Sequence, residues 1–169
     1  MATRYIPKNP TGSIVNSTDV TNPLFIPRYT LQLVPGSARP DPPVVIRDSA
    51  RAAAILCPLF HGLDREQFLV CCLDAKHAII GVNVVSIGSL TLSIVHPREV
   101  FKPAILLNAC GIIAAHNHPS GDPTPSAEDR VLTARLRQAG DLIGIALLDH
   151  IILGDDRIYS FADFGWPAC

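Results

Sequence analysis

His116 and His118 stand two residues apart at the end of an apolar run, residues 110–115. On an extended strand that spacing turns both imidazoles to one face, so they can share one ion. The segment after them, PSGDPTP at residues 119–125, carries three prolines that restrict φ and one glycine free to take positive φ. Ser126 then opens a helical pattern with Asp129 three residues on, and neighbours at that spacing can face back toward the histidines together. Two neutral imidazoles and one carboxylate, His116, His118 and Asp129, are the three protein ligands of a catalytic zinc site, which keeps a fourth position for water. Such a site offers hydrolysis, because the metal acidifies water and polarises a carbonyl. Amide cleavage needs two more groups: a carboxylate to carry a proton from water to the leaving amine, and a donor for the developing oxyanion. Ser126 can donate its hydroxyl, and Glu66, just before an upstream strand, is the candidate proton carrier.

Each residue also has a plainer reading. Ser126 with Asp129 is a capping-box variant, Thr124 with Pro125 would start the same helix, and those two alone favour the cap. A His-x-His pair can be satisfied by hydrogen bonds within a fold, and a lone glutamate at a strand start is ordinarily a solvated surface residue. The conjunction favours the metal, since one shared cation explains the histidines, the stiff loop and the helical carboxylate together. Asp149 and His150 read as structural or supporting residues rather than ligands, and His61, His77 and His96 as surface or capping residues. The adjacent residues His116, Asn117 and His118 spell HNH, but the nuclease of that name has its residues dispersed along a ββα finger.

The elements that must position this site follow from periodicity and punctuation. Asp48 or Ser49 caps a helix over residues 50–60 that Pro58 and Gly62 end. Residues 67–73 (QFLVCCL) and 78–87 (AIIGVNVVSI) are strands joined by a short hairpin loop. A loop over 89–95 precedes a helix from about His96 to Asn108, with Pro97 in its first turn and Pro103 as a kink. Residues 110–118 form a buried strand. Residues 126–140 form a helix with Val131, Leu132, Ala134, Leu136 and Ala139 on its apolar face and Gly140 as its stop. Residues 142–148 read as a central strand that Asp149 and His150 interrupt, residues 151–153 resume it, and 157–161 close a hairpin. The order predicts an α/β (α+β) domain with a mixed central sheet flanked by helices.

The first 43 residues hold eight of the fifteen prolines, a composition that resists a packed core. Residues 1–28 are expected to be a flexible tail, and residues 29–43 an edge strand (YTLQLV, 29–34) with a linker. The domain itself is expected over residues 44–166, since 169 residues with 48% apolar content suffice for one full core. A formal net charge of −1 gives no basic excess for phosphate-driven DNA binding. Five cysteines, Cys57, Cys71, Cys72, Cys110 and Cys169, lie mostly in apolar runs without CxxC spacing, as reduced thiols of a cytoplasmic protein would. No signal-peptide core or membrane-spanning run is present, so no membrane partner is expected.

The spacing His116-x-His118, seven residues, Ser126, two residues, Asp129 resembles the signature of JAMM/MPN+ metalloproteases, with a glutamate upstream. The longer string HNHPSGDPTPS, the later LLDHIILG (147–154) and VHPREVF (95–101) are similar to the RadC family in particular, over roughly residues 44–166. The resemblance implies a JAB/MPN, cytidine-deaminase-like sandwich, zinc (Zn2+) on His116, His118 and Asp129, Glu66 as acid/base and Ser126 at the oxyanion. The Glu66 assignment rests on the pattern Glu-x-Phe before an apolar strand, with Asp64 as the alternative. Set against that resemblance, the chain is expected to be a short form without the helix-hairpin-helix module that would contact DNA. The expected function is zinc-dependent hydrolysis of an amide or isopeptide bond in a protein or peptide substrate. The competing readings are a DNA repair or recombination accessory factor, with metal-dependent DNA processing, and a non-catalytic interaction domain. The oligomeric state is left open, a dimer included.

Overall fold

The computed structural model describes residue 36 and residues 40–88 and 95–168. The expectations for residues 1–28, for the edge strand at 29–34 and for the loop at 89–94 lie outside the described residues. Asp48 accepts a hydrogen bond from the Arg51 N–H at 2.7 Å and caps α1, Ser49–Leu56. Proline cannot continue the α-helical bonding, and around Pro58 the helix passes into a 3-10 turn, Cys57–Phe60. β1 (Gln67–Leu73) and β2 (Ile79–Ile87) pair antiparallel. The Asp74 carboxylate accepts from the N–H groups of Lys76 and Ala78 at 2.8 and 2.9 Å, which sets the turn between them.

His96 caps α2 (Pro97–Leu106), which tolerates Pro103 within it. Then follow β3 (Gly111–Asn117), α3 (Ala127–Ile143), β4 (Ala146–Leu153), β5 (Ile158–Ser160) and the short α4 (Phe161–Phe164). The strands form one sheet in the order β2-β1-β3-β4-β5; β3 and β4 run parallel and every other pairing is antiparallel. This is the mixed sheet flanked by helices that the element order predicts. Alternation along the strands divides the core into two layers. Leu69, Cys71, Leu73, Ile113, Ala115, Ile151 and Leu153 pack toward Ala52, Ala53 and Leu56 of α1 on one face. Phe68, Val70, Cys72, Ile112 and Ala114 pack with Val100, Phe101 and Ala104 of α2 and Leu136 of α3 on the other. No helix among the described residues is long and apolar enough to cross a membrane.

Three expectations are corrected. Gly140 does not stop α3; the helix continues to Ile143, and Gly144 at φ 74 is the left-handed cap. Gly140 is instead a close-packing position, because a Cβ there would lie 2.5 Å from the Ile145 carbonyl oxygen and 3.3 Å from the Phe101 ring. Asp149 and His150 do not interrupt the last long strand, for both lie inside β4 and are buried. Each is accommodated by hydrogen bonds, and a register shift between Ile112 and Ile113 leaves Ala114 opposite His150. Finally, the apolar face of α3 holds for Leu136, which is buried, and for Leu132 and Ala139, which pack against the core, but Val131 is 60% exposed and buried Asp129 and Thr133 share the inward face. The helix turns two polar residues to the sheet because groups there bond them.

Candidate metal centre

The parallel strand β3 delivers His116 to the floor of the site, 1% exposed, with its ring stacked on Phe68 across the β1–β3 pairing. His118 lies one residue past the end of β3, but its N–H still donates to the Leu153 carbonyl of β4 at 2.9 Å. The chain therefore remains extended through both histidines and they share a face. The loop then turns at Gly121, φ 80, whose carbonyl accepts from Asp155 N–H at 3.2 Å. That contact braces the loop against the β4–β5 turn. α3 begins at a full capping box: Asp129 N–H donates to Ser126 Oγ at 3.0 Å, and Ser126 N–H donates to Asp129 Oδ2 at 2.8 Å.

Three ligand atoms converge at the centre. His116 Nε2 lies 3.1 Å from His118 Nε2 and 3.1 Å from Asp129 Oδ1, and His118 Nε2 lies 3.5 Å from Asp129 Oδ2. A tetrahedral zinc with arms of about 2.0–2.1 Å separates its ligand atoms by about 3.3 Å. The observed spacings bracket that edge length. His118 Nδ1 lies 2.8 Å from the Asp122 carbonyl, which can only accept, so Nδ1 carries hydrogen and the Nε2 lone pair turns inward. Among the described residues, His116, His118 and Asp129 are the group of metal-ligand type that converges in this way. The donor set and its spacing fit a divalent cation.

Electrostatics agree. Burial works to raise the Asp129 carboxyl, but the two imidazoles, which can place a hydrogen against it where a cation would otherwise sit, and the Ser126 hydroxyl outweigh burial and hold the group well below the usual carboxylate range. His118 is raised, first by its bond to Asp129 and further by the charges of Asp129 and Glu66. Glu66 is thus near enough to act on His118, from its half-buried place just before β1. The alternative, Asp64, is turned to Arg65 in a two-bond pair at 2.8 and 2.9 Å. Ser126 donates its hydroxyl hydrogen to Asp129 Oδ2 at 2.6 Å, so it adjoins the ligand carboxylate, with its hydrogen held in the cap. His61, His77 and His96 are exposed.

Two features support this centre, Asn117, which sequence reasoning missed, and His150, which it read as structural or supporting. Asn117, between the two histidines, accepts from Gln67 N–H at 2.8 Å and donates to the Arg65 carbonyl at 3.1 Å. Its amide grips the backbone on both sides of Glu66. His150 lies against His116 on β4, with its pKa depressed well below the usual value, chiefly by complete burial. Asp149 points elsewhere, accepting from Ser160 Oγ at 2.7 Å and from the N–H groups of His150 and Ala162 at 2.7 and 3.0 Å. It is structural, as the sequence suggests. Nothing in local periodicity marks Asn117, since its partners lie about fifty residues upstream.

Known proteins bear on this arrangement. The RadC-like JAB domain family matches residues 46–166. A protein of Moorella thermoacetica named UPF0758 protein is 50% identical over 119 residues, which cover 70% of this chain and 52% of that protein. One of the same name from Thermotoga maritima is 50% identical over 118 residues, 70% of this chain and 53% of the relative. A third, from Symbiobacterium thermophilum, is 56% identical over 110 residues, 65% and 47% respectively. The chain spans about half the length of the curated relatives it matches. The matched residues contain the whole sheet, the converging histidines and Asp129. The chain belongs to the family of RadC-like JAB domains.

Proposed function

We propose that this chain is a zinc-dependent hydrolase of the JAMM type that cleaves an amide or isopeptide bond in a protein or peptide substrate. The observation that carries the proposal is the convergence of His116 Nε2, His118 Nε2 and Asp129 at 3.1–3.5 Å, with the outer nitrogen of each imidazole already bonded elsewhere. Zinc held by these three residues would supply a water ionising near neutral pH and a Lewis acid for a carbonyl. Glu66 takes the proton from the attacking water and delivers it to the leaving amine nitrogen. Its charge already reaches His118, and Asn117 and Gly88 fix its backbone, the latter donating to the Glu66 carbonyl at 2.8 Å. Ser126 moves its hydroxyl hydrogen from Asp129 Oδ2 to the substrate oxygen as charge develops there. A substrate amide, rather than a phosphodiester, suits a chain with a formal net charge of −1.

Metal analysis of the purified full chain, paired with cleavage of a peptide library, tests this reading. About one zinc per chain is expected. Glu66→Gln should keep the metal and lose turnover by roughly 10²–10⁴-fold. His118→Ala should lose metal and turnover together. Undiminished cleavage by Glu66→Gln would remove Glu66 from the mechanism, and a wild-type chain that binds no zinc would remove the metal.

A further inference from the structure

His150 is the buried imidazole that the proposed chemistry leaves unused. It is 0% exposed, lies between Phe68 and Phe161 with ring centroids 5.4 Å away on each side, and has no carboxylate bonded to either nitrogen. Its Nε2 lies 2.9 Å from His116 Nδ1, and its Nδ1 lies 2.6 Å from Thr133 Oγ1. Thr133 is itself fully buried on α3, and its hydroxyl lies 2.6 Å from the backbone carbonyl of Asp129.

The donors and acceptors in this chain can be assigned without observing a hydrogen. A carbonyl only accepts, so the single hydroxyl hydrogen of Thr133 goes to Asp129 O. Thr133 Oγ1 can then only accept from His150, whose Nδ1 must carry a hydrogen. A neutral His150 has no hydrogen left for Nε2, which accepts from His116 Nδ1–H. In a neutral His116 the Nε2 lone pair is then free, and that atom faces His118 and Asp129. Each link determines the next, and the last fixes the ligand atom.

We infer that His150 and Thr133 are positioning residues which lock His116 in the Nδ1–H tautomer and so set the affinity of the metal centre. The inference rests on the metal reading of the site. His118 is oriented by a backbone carbonyl directly, whereas His116 is oriented through two side chains that return to Asp129. The relay therefore ties the ring of one ligand to the backbone of another, across β3, β4 and α3. Partners of this kind are worth about 10–100-fold in metal affinity.

The test uses zinc alone and the full chain. Competition against a chromophoric chelator should give Thr133→Val about 10–100-fold weaker zinc binding. Thr133→Ser, which restores the hydroxyl, should return to within about threefold of wild type, less than the loss of such a hydrogen-bonding partner. A purely steric role for Thr133 predicts the reverse order, since valine preserves the shape and serine does not. The independent readout is a long-range proton–nitrogen correlation spectrum of the zinc-free, histidine-labelled protein. Wild type should show a hydrogen held on His116 Nδ1, and Thr133→Val a partial loss of it. A His116 Nδ1 without hydrogen in folded wild type, or wild-type zinc affinity in Thr133→Val, overturns the inference. A wild-type chain with the Nδ1–H tautomer but no zinc binding instead overturns the metal reading on which it rests.

Discussion

Asn117→Ala should loosen the segment that carries Glu66 while leaving the metal ligands in place. The Asn117 amide makes two bonds, one from Gln67 N–H at 2.8 Å and one to the Arg65 carbonyl at 3.1 Å. Gln67 is buried, so its N–H loses its acceptor where water does not readily replace it, at a cost of about 1–3 kcal/mol. Arg65 is exposed and its carbonyl can recruit water, so that side adds little. A net loss of about 2 kcal/mol corresponds to a fall of roughly 6–10 °C in melting temperature for a domain of this size. The loss is local as well as global. Hydrogen exchange at the Gln67 amide should accelerate by about ten- to a hundredfold beyond the change at the centre of β1. Zinc affinity should change little, because strand alternation turns Asn117 away from the face that His116 and His118 share. Peptide turnover should fall as Glu66 loses its fixed origin. Asn117→Asp separates the two bonds, retaining the acceptor for Gln67 and replacing the donor to Arg65. An Asn117→Ala protein with unchanged melting temperature and unchanged Gln67 exchange would refute the claim that this side chain holds the segment.

Other perturbations probe the surrounding framework. A Cβ at Gly154 would collide with the Gly121 carbonyl oxygen and lie 2.8 Å from Pro123 Cδ, so Gly154→Ala must push the loop whose Asp122 carbonyl orients His118. It should destabilise the fold by about 1–3 kcal/mol and weaken zinc binding roughly tenfold or more, read by thermal melts with and without zinc. Asp149 is raised, chiefly by burial, so the folded protein holds that proton more tightly than the unfolded chain. Its contribution is full below the unfolded value of about 3.9 and lost as pH rises through the raised one. Asp149→Asn should therefore gain stability relative to wild type as pH increases above about 4, measured by urea unfolding. Burial pushes Cys71 up to about 12 and Cys72 to about 11, so a disulfide reagent at pH 8 should modify exposed Cys57 and Cys110 and reach the buried pair only after unfolding.

The parts of this molecule that were legible in sequence are those in which chemistry and period coincide. Residues 67–73 read as a strand because all seven are compatible with burial, and β1 has those bounds. The convergence of His116, His118 and Asp129 was legible because few residue types bind metal and their spacing matched a strand followed by a helix. What misled were buried polar residues. Asp149 and His150 look like a break in an apolar run, yet β4 contains them because Ser160, Thr133 and His116 satisfy their polar atoms. On α3 the apolar residues Leu132, Leu136 and Ala139 do face the core, but a count of apolar residues also selects exposed Val131 and passes over Asp129 and Thr133, which meet His116 and His150 of the sheet. Gly140 and Gly144 are alike in sequence, and only the approach of Ile145 and Phe101 to the first and the positive φ of the second distinguish packing from termination.

The candidate ligand set and Glu66 are placed by different pairings in this fold. The three ligands and their relay come from β3, α3 and β4, a parallel pair with its crossover helix, and the capping box turns the first residues of α3 toward the strand end. The positive end of the α3 dipole also favours the Asp129 carboxylate there. Glu66 belongs to none of these elements. It reaches the site through the antiparallel register that pairs Phe68 with His116, and through Asn117. Because successive side chains on a strand alternate, a slip of one residue between β1 and β3 would turn Phe68 off His116 and carry Glu66 away from His118 while leaving the β3–α3–β4 ligands intact. The Asn117 amide bonds in one register only, so it ties the backbone around Glu66 to the strand that carries His116 and His118.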